Sequence, residues 1–257
     1  MSFVISKPSH MSLHLRPVLN DIVLGNATGF VAKSPNGMPF LVTNRHVVRG
    51  RNNDTDECLD TKTLAVPNRL RVTHNWAPAF GRFVEIEIPL LNEQSEPLWF
   101  EHPVHQGAAD VVVIPLSLHA DIAFYPYDVN PLSHNIIEPG SLIWAVGFPF
   151  DQRTGESFAV WSTGFVATEP QIDHGGRPLF LIDCRTRAGQ SGSPVISFEG
   201  GHGAFLRPGE RNINHGRISL LGIYSGRIHK DSDLGRVWKS FVLAETLTHA
   251  QVQMANR

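Results

Sequence analysis

Short apolar runs, each closed by glycine, proline or an Asn-Gly step, recur along most of this chain, and that punctuation restricts it to an all-β architecture. The clearest case is Gly29-Phe30-Val31-Ala32-Lys33 and Pro39-Phe40-Leu41-Val42-Thr43, joined by Ser34-Pro35-Asn36-Gly37. An Asn-Gly pair accepts positive φ at both turn positions, so this segment reads as a hairpin. Phe83-Val84-Glu85-Ile86-Glu87-Ile88 alternates apolar and acidic residues, as a half-exposed strand does. A second series of strand-like runs follows at 142–146, 158–161, 179–183, 194–197 and 220–224. The 22 Gly and 18 Pro suit many short strands and turns. Only the last segment, 233–251, has helical spacing, through Val237, Phe241, Ala244 and Leu247, and it predicts a C-terminal helix.

A chain of 257 residues accommodates one sizeable β domain or two small barrels packed together. Pro126, Pro131 and Pro139 interrupt the pattern and place a boundary near 125–140. The expected organisation is an N-terminal extension (1–20), a first barrel (21–130), a second barrel (131–232) and a C-terminal helix and tail (233–257). A formal net charge of −2 offers no electrostatic footprint for nucleic acid or an anionic membrane. The N-terminus, Met1-Ser2-Phe3-Val4-Ile5-Ser6-Lys7-Pro8, lacks the apolar core of a secretory signal. No run approaches the roughly 20 apolar residues of a spanning helix. Cys58 and Cys184 then read as free thiols, and the expected location is cytoplasmic.

Three separated segments carry chemistry. In Arg187-Ala188-Gly189-Gln190-Ser191-Gly192-Ser193-Pro194 a serine stands between glycines on a tight turn. There its Oγ projects uncrowded and the backbone N–H groups can approach an oxyanion. His46 ends the apolar run of Leu41-Val42-Thr43-Asn44-Arg45-His46, and Asp110 opens the run Val111-Val112-Val113-Ile114-Pro115-Leu116. Taken singly, His46 reads as a strand-end histidine bonded to backbone, and Asp110 as a turn cap. Asp110 has a rival in Asp121, which precedes Ile122-Ala123-Phe124, but the run after Asp110 is longer and more β-branched. His102-Pro103-Val104-His105 is broken by proline and lacks a third ligand of suitable spacing, so a loop is the better reading than a metal site. No metal or organic cofactor is expected.

The order His46, Asp110, Ser191 resembles the chymotrypsin-like (trypsin-like) serine peptidases, and Thr43-Asn44-Arg45-His46-Val47-Val48 is most similar to the HtrA-type and small bacterial trypsin-like branch. Thr28-Gly29-Phe30-Val31, Gly147-Phe148-Pro149 and Asp183 fit the same branch, and the resemblance spans roughly residues 20 to 240. It implies a chymotrypsin-like double β-barrel with a C-terminal helix; because only about 20 residues follow the barrel region, no PDZ-like module is expected. His46 and Asp110 would lie on the first barrel and Ser191 on the second, with the site in the cleft between them. It further implies Ser191 as nucleophile, His46 as general base, Asp110 as its orienting carboxylate, and the N–H groups of Gly189 and Ser191 as oxyanion hole. Gln190 stands where an aspartate often pairs with a newly cleaved N-terminal amine, so activation by that route is not expected.

The same resemblance walls the primary pocket with Arg185, Thr186, Ser225, Gly226 and Arg227. Two readings stay open. An inward guanidinium of Arg185 or Arg227 would favour an acidic residue before the scissile bond. If both lie on the surface or pair with Asp183, a small apolar pocket remains. The expected function is limited cleavage of a specific protein or peptide target by an intracellular, bacterial serine endopeptidase, with a protein partner as a further expected activator or target. The alternative is a protease-like peptide-binding module that is non-catalytic or partner-activated. An esterase is disfavoured, because no strand–turn–helix Gly-x-Ser-x-Gly elbow is present.

Overall fold

The computed structural model describes residues 5–129, 137–199, 204–207, 210–214 and 217–256, so part of the expected boundary at 125–140 lies outside the described residues. The first half is an antiparallel nine-stranded sheet. Its path runs Ile122–Ala123, Arg69–Trp76, Ser12–Leu19, Ala27–Lys33, Pro39–Thr43, Val112–Pro115, Phe100–Glu101, with Phe83–Pro89 and Ile22–Val23 pairing alongside. The second half is a closed barrel of six strands: Leu142–Gly147, Val160–Val166, Leu179–Cys184, Leu234–Lys239, Arg217–Arg227 and Pro194–Glu199. Closure leaves the barrel without an unpaired edge. The architecture is the chymotrypsin-like one expected, mostly β with a C-terminal helix.

Period two explains why the strands read as unbroken apolar runs. Phe40 and Val42 face one cluster while Leu41 faces another, and Leu179 and Leu181 are divided from Phe180 and Ile182 in the same way. A strand covered on both faces needs apolar residues at successive positions. One cluster, with Leu15, Leu41, Leu70 and Ile114, fills the first sheet; another, with Ile143, Phe180, Val195 and Val237, fills the barrel. The third, with Phe30, Phe40, Val113, Phe148, Trp238 and Leu247, joins the two halves and seats the C-terminal helix.

Two elements differ from the sequence expectation. The helix begins at Ser240, not near Asp233, because Leu234–Lys239 is a barrel strand pairing on both sides. Its buried face is Val242, Leu243, Thr246, Leu247 and Ala250. Val237 and Trp238 are β-branched and aromatic, and closing the barrel outweighs the helical spacing they happen to fit. The segment read as an N-terminal extension contributes Ser12–Leu19 as a central strand, between Ala27–Lys33 and Arg69–Trp76. Ile5–Ser6 pairs with Ala204–Arg207, which continues to Glu210–Asn214.

Barrel closure is tightest at Gly222, where a Cβ would run into the Trp238 carbonyl oxygen on the neighbouring strand. Gly222→Ala is expected to cost about 3 kcal/mol through forced strand separation. Thermal denaturation should then show Tm lowered by roughly 6–12 °C. An unchanged Tm would contradict this packing.

Candidate active site

The strand Pro39–Thr43 ends at Asn44, and the one-turn helix Arg45–Arg49 that follows carries His46. Gly50 closes the helix in the left-handed region at φ 63°, its N–H donating to the His46 carbonyl at 2.9 Å. Asp110 meets the histidine twice. Its Oδ2 accepts from His46 Nδ1 at 2.6 Å, and its Oδ1 accepts the His46 backbone N–H at 2.9 Å. The buried Asn44 amide donates to the Asp110 carbonyl at 2.7 Å, so backbone and side chain of the aspartate are both held. The loop before it is tied down by an ion pair of Arg45 with Glu101 at 2.9 Å and by a hydrogen bond from His102 Nε2–H to Glu245 at 2.8 Å. His102 is thereby committed, together with two backbone N–H groups on its Nδ1. Asp121 is exposed in a turn before Ile122–Ala123 and makes no bond to His46.

Ser191 sits on a turn built from inside. Gln190 is fully buried; its Oε1 accepts the Arg187 N–H and its Nε2 donates to Ser162 Oγ, both at 2.8 Å. Gly192 takes φ +86°, and a Cβ there would collide with the Thr28 carbonyl. Gly189 takes φ +95°, and its Cβ would collide with the Phe148 carbonyl and the Asn26 amide. Both positions therefore require glycine. The carbonyls of Ala188 and Gln190 accept from Phe150 N–H and Ser193 N–H, at 2.7 and 2.9 Å. In trans peptides the Gly189 and Ser191 N–H groups point opposite those carbonyls. Among the described residues neither N–H has a protein acceptor.

Thr28, from the first half, joins this loop to the histidine. Its N–H donates to the Ser191 carbonyl at 2.8 Å and its hydroxyl to the Gly189 carbonyl at 2.8 Å, while Phe148 N–H donates to that hydroxyl at 3.1 Å. His46 and Ser191 consequently line one cleft. Ser225, Gly226 and Arg227 form its wall on the barrel side. Arg185 does not line it: the side chain is 86 % exposed and lies 3.7 Å from Asp233. Thr186 is buried and donates to the Tyr224 hydroxyl, and it does not line the cleft. Gly235 leaves room for the Tyr224 ring. Sequence reasoning did not single out Asn44 or Tyr224, because their importance lies in contacts between distant segments.

The model of the trypsin-like peptidase domain matches residues 27–202. This chain belongs to the trypsin-like peptidases. Solved structures similar to it are proteases at low identity, and the likeness shows the fold. The serine endoprotease from Yersinia pestis shares 14 % identity over 96 % of this chain, with TM-score 0.55; this chain spans 65 % of that one. The MamO protease domain from Magnetospirillum magneticum shares 14 % over 92 % of this chain and 95 % of its own, with TM-score 0.52. A protease from M. tuberculosis in its active form shares 17 % over 93 % and 80 %, with TM-score 0.50. No curated relative matches. The matched region is thus a trypsin-like peptidase domain. Among the described residues no helix is long and apolar enough to cross a membrane.

Electrostatics in the peptidase cleft centre on His46. Burial disfavours its cation, but the charge and hydrogen bond of Asp110 outweigh that and raise its pKa above the ordinary 6.5. In Asp110→Asn the opposing burial remains while the raising causes go, so an NMR titration of His46 should move from above 6.5 to below it. No downward movement would exclude the carboxylate as the cause.

Proposed function

We propose that His46, Asp110 and Ser191 act as a Ser-His-Asp triad that cleaves peptide bonds through an acyl-enzyme. The observation that carries this is the two-point grip of Asp110 on His46, at 2.6 and 2.9 Å, beside the cleft that Ser191 also lines. With Nδ1–H committed to Asp110, the neutral imidazole presents an unprotonated Nε2, the lone pair a general base needs. His46 takes the Ser191 proton as Oγ attacks the substrate carbonyl, and Asp110 stabilises the imidazolium that results. The N–H groups of Gly189 and Ser191, without an acceptor among the described residues, receive the oxyanion. His46 then protonates the leaving amine, and a water activated by the same histidine releases the acyl group. In the free enzyme the Ser191 hydroxyl has no hydrogen bond to His46; such contacts commonly tighten only with substrate bound.

The reading extends to limited cleavage of a specific target. Asp54, from the loop after His46, reaches across to Arg177 and Arg236 on the barrel at 2.8 Å each, which restricts what can lie in the cleft. The buried Gln190 supports the turn without a second charged group, consistent with folding directly to a competent loop.

Labelling with a fluorophosphonate probe tests the triad. Wild type should label, and Ser191→Ala and His46→Ala should not. Asp110→Asn should lower kcat by about 10⁴-fold with folding intact, because the imidazole is then held in the wrong tautomer. Because the base must be neutral and its pKa is raised, kcat/KM should climb with pH through a value above 6.5. A wild type that folds but never labels would favour the peptide-binding alternative.

A further inference from the structure

The cleft has two arms of opposite character that meet at His46 and Ser191. One, about 290 Å³, passes over Leu24, Ala27, Val47 and Leu59. The other, about 480 Å³, is walled by Arg177, Arg227, Lys230 and Arg236, with Asp54 and Asp110 as its carboxylates. Asp110 is committed to His46. Asp54 lies in the fork of Arg177 and Arg236, one oxygen to each guanidinium at 2.8 Å. Among the described residues Arg227 and Lys230 have no carboxylate partner within ion-pair distance. The arm therefore keeps two unpaired cations beside a pair of arginines that already demonstrates its capacity to hold one carboxylate.

We propose that this cationic arm is a subsite for acidic peptide, in which substrate carboxylates on the acyl side of the scissile bond bind Arg227 and Lys230 and displace Asp54 from the Arg177–Arg236 fork. The proposal rests on the peptidase reading for its orientation, since the arm shares the Ser225–Arg227 wall of the primary pocket. Planar guanidinium forks match carboxylates in geometry as well as charge. A cleft whose wall carries an excess of one sign of charge also concentrates oppositely charged ligands. Displacement is plausible physically because Asp54 belongs to the opposite half of the fold and its side chain is 42 % exposed, so releasing it buries no stranded charge. Asp54 then acts as an internal stand-in that neutral peptides cannot dislodge. Of the two arginines from which the sequence reads acidic selection, Arg185 is turned out to solvent, and Arg227 takes the role together with Lys230.

The test uses Ser191→Ala protein and two fluorescein-labelled octapeptides, identical except for Glu or Gln at the four positions before the central bond, read by fluorescence anisotropy. The Glu peptide should bind at least about tenfold more tightly, and the gap should shrink as salt rises from roughly 0.05 to 0.5 M. Arg227→Gln with Lys230→Gln should narrow the gap several-fold, the Arg177–Arg236 fork accounting for what is left. Asp54→Asn should strengthen the Glu peptide several-fold and leave the Gln peptide unchanged. Equal affinity for both peptides, or a gap that the double substitution leaves undiminished, overturns the proposal. An Asp54→Asn that weakens both peptides makes Asp54 a structural tie and overturns the displacement. Fluorophosphonate labelling of wild type in parallel separates the two readings. Binding preference without labelling sinks the triad mechanism and keeps the subsite; labelling without preference does the reverse.

Discussion

The junction at Thr28 sets the geometry on which the site depends. A nucleophile and its base on different halves of a fold are useful only if those halves are fixed to within a fraction of an ångström. Thr28 does this with short hydrogen bonds in which its backbone N–H, hydroxyl and carbonyl each take part, reaching Ser191, Gly189, Phe148 and Thr43. Because Thr43 leads directly into Asn44 and His46, one residue connects the serine turn to the histidine turn. Around it the apolar cluster of Phe30, Phe40, Phe148 and Trp238 excludes water, so these bonds operate in a low-dielectric setting.

Charge in the cleft is graded rather than uniform. Near the serine, Asp110 supplies one carboxylate, aimed at one imidazole. Farther along the barrel wall cations outnumber carboxylates, and Asp54 satisfies two of them from across the cleft. The same pair of bonds ties together the two halves at a second place, remote from Thr28. Unlike the Thr28 junction it is partly solvated, and exposed ion pairs of this kind are weak and exchangeable. A rigid junction at the chemistry and a yielding one along the substrate path suit an enzyme that must admit a peptide without disturbing its catalytic geometry.

Much of this was legible in the residues. The Asn-Gly hairpin, the glycines flanking Ser191 and the run after Asp110 each report a local requirement: positive φ, a close backbone approach or a strand covered on both faces. Gly189 and Gly192 take the left-handed conformations that their neighbours permit no side chain to share. Other features misled for equally local reasons. Val237 and Trp238 fit a helical repeat as well as a strand, and only their pairing with Tyr224 and Ile223 decides between the two. Arg185 stands at the sequence position of a pocket base, yet its side chain finds water and Asp233.

The sequence by itself determined the all-β class, the family and the residue types available for catalysis, because those follow from period, turn chemistry and the order of His46, Asp110 and Ser191. Tertiary structure alone decided which aspartate reaches the histidine, where the arginines point and that Asp54 spans the cleft. Those are contacts between segments tens of residues apart, fixed by how two packed halves meet, and no local pattern encodes the distance between them.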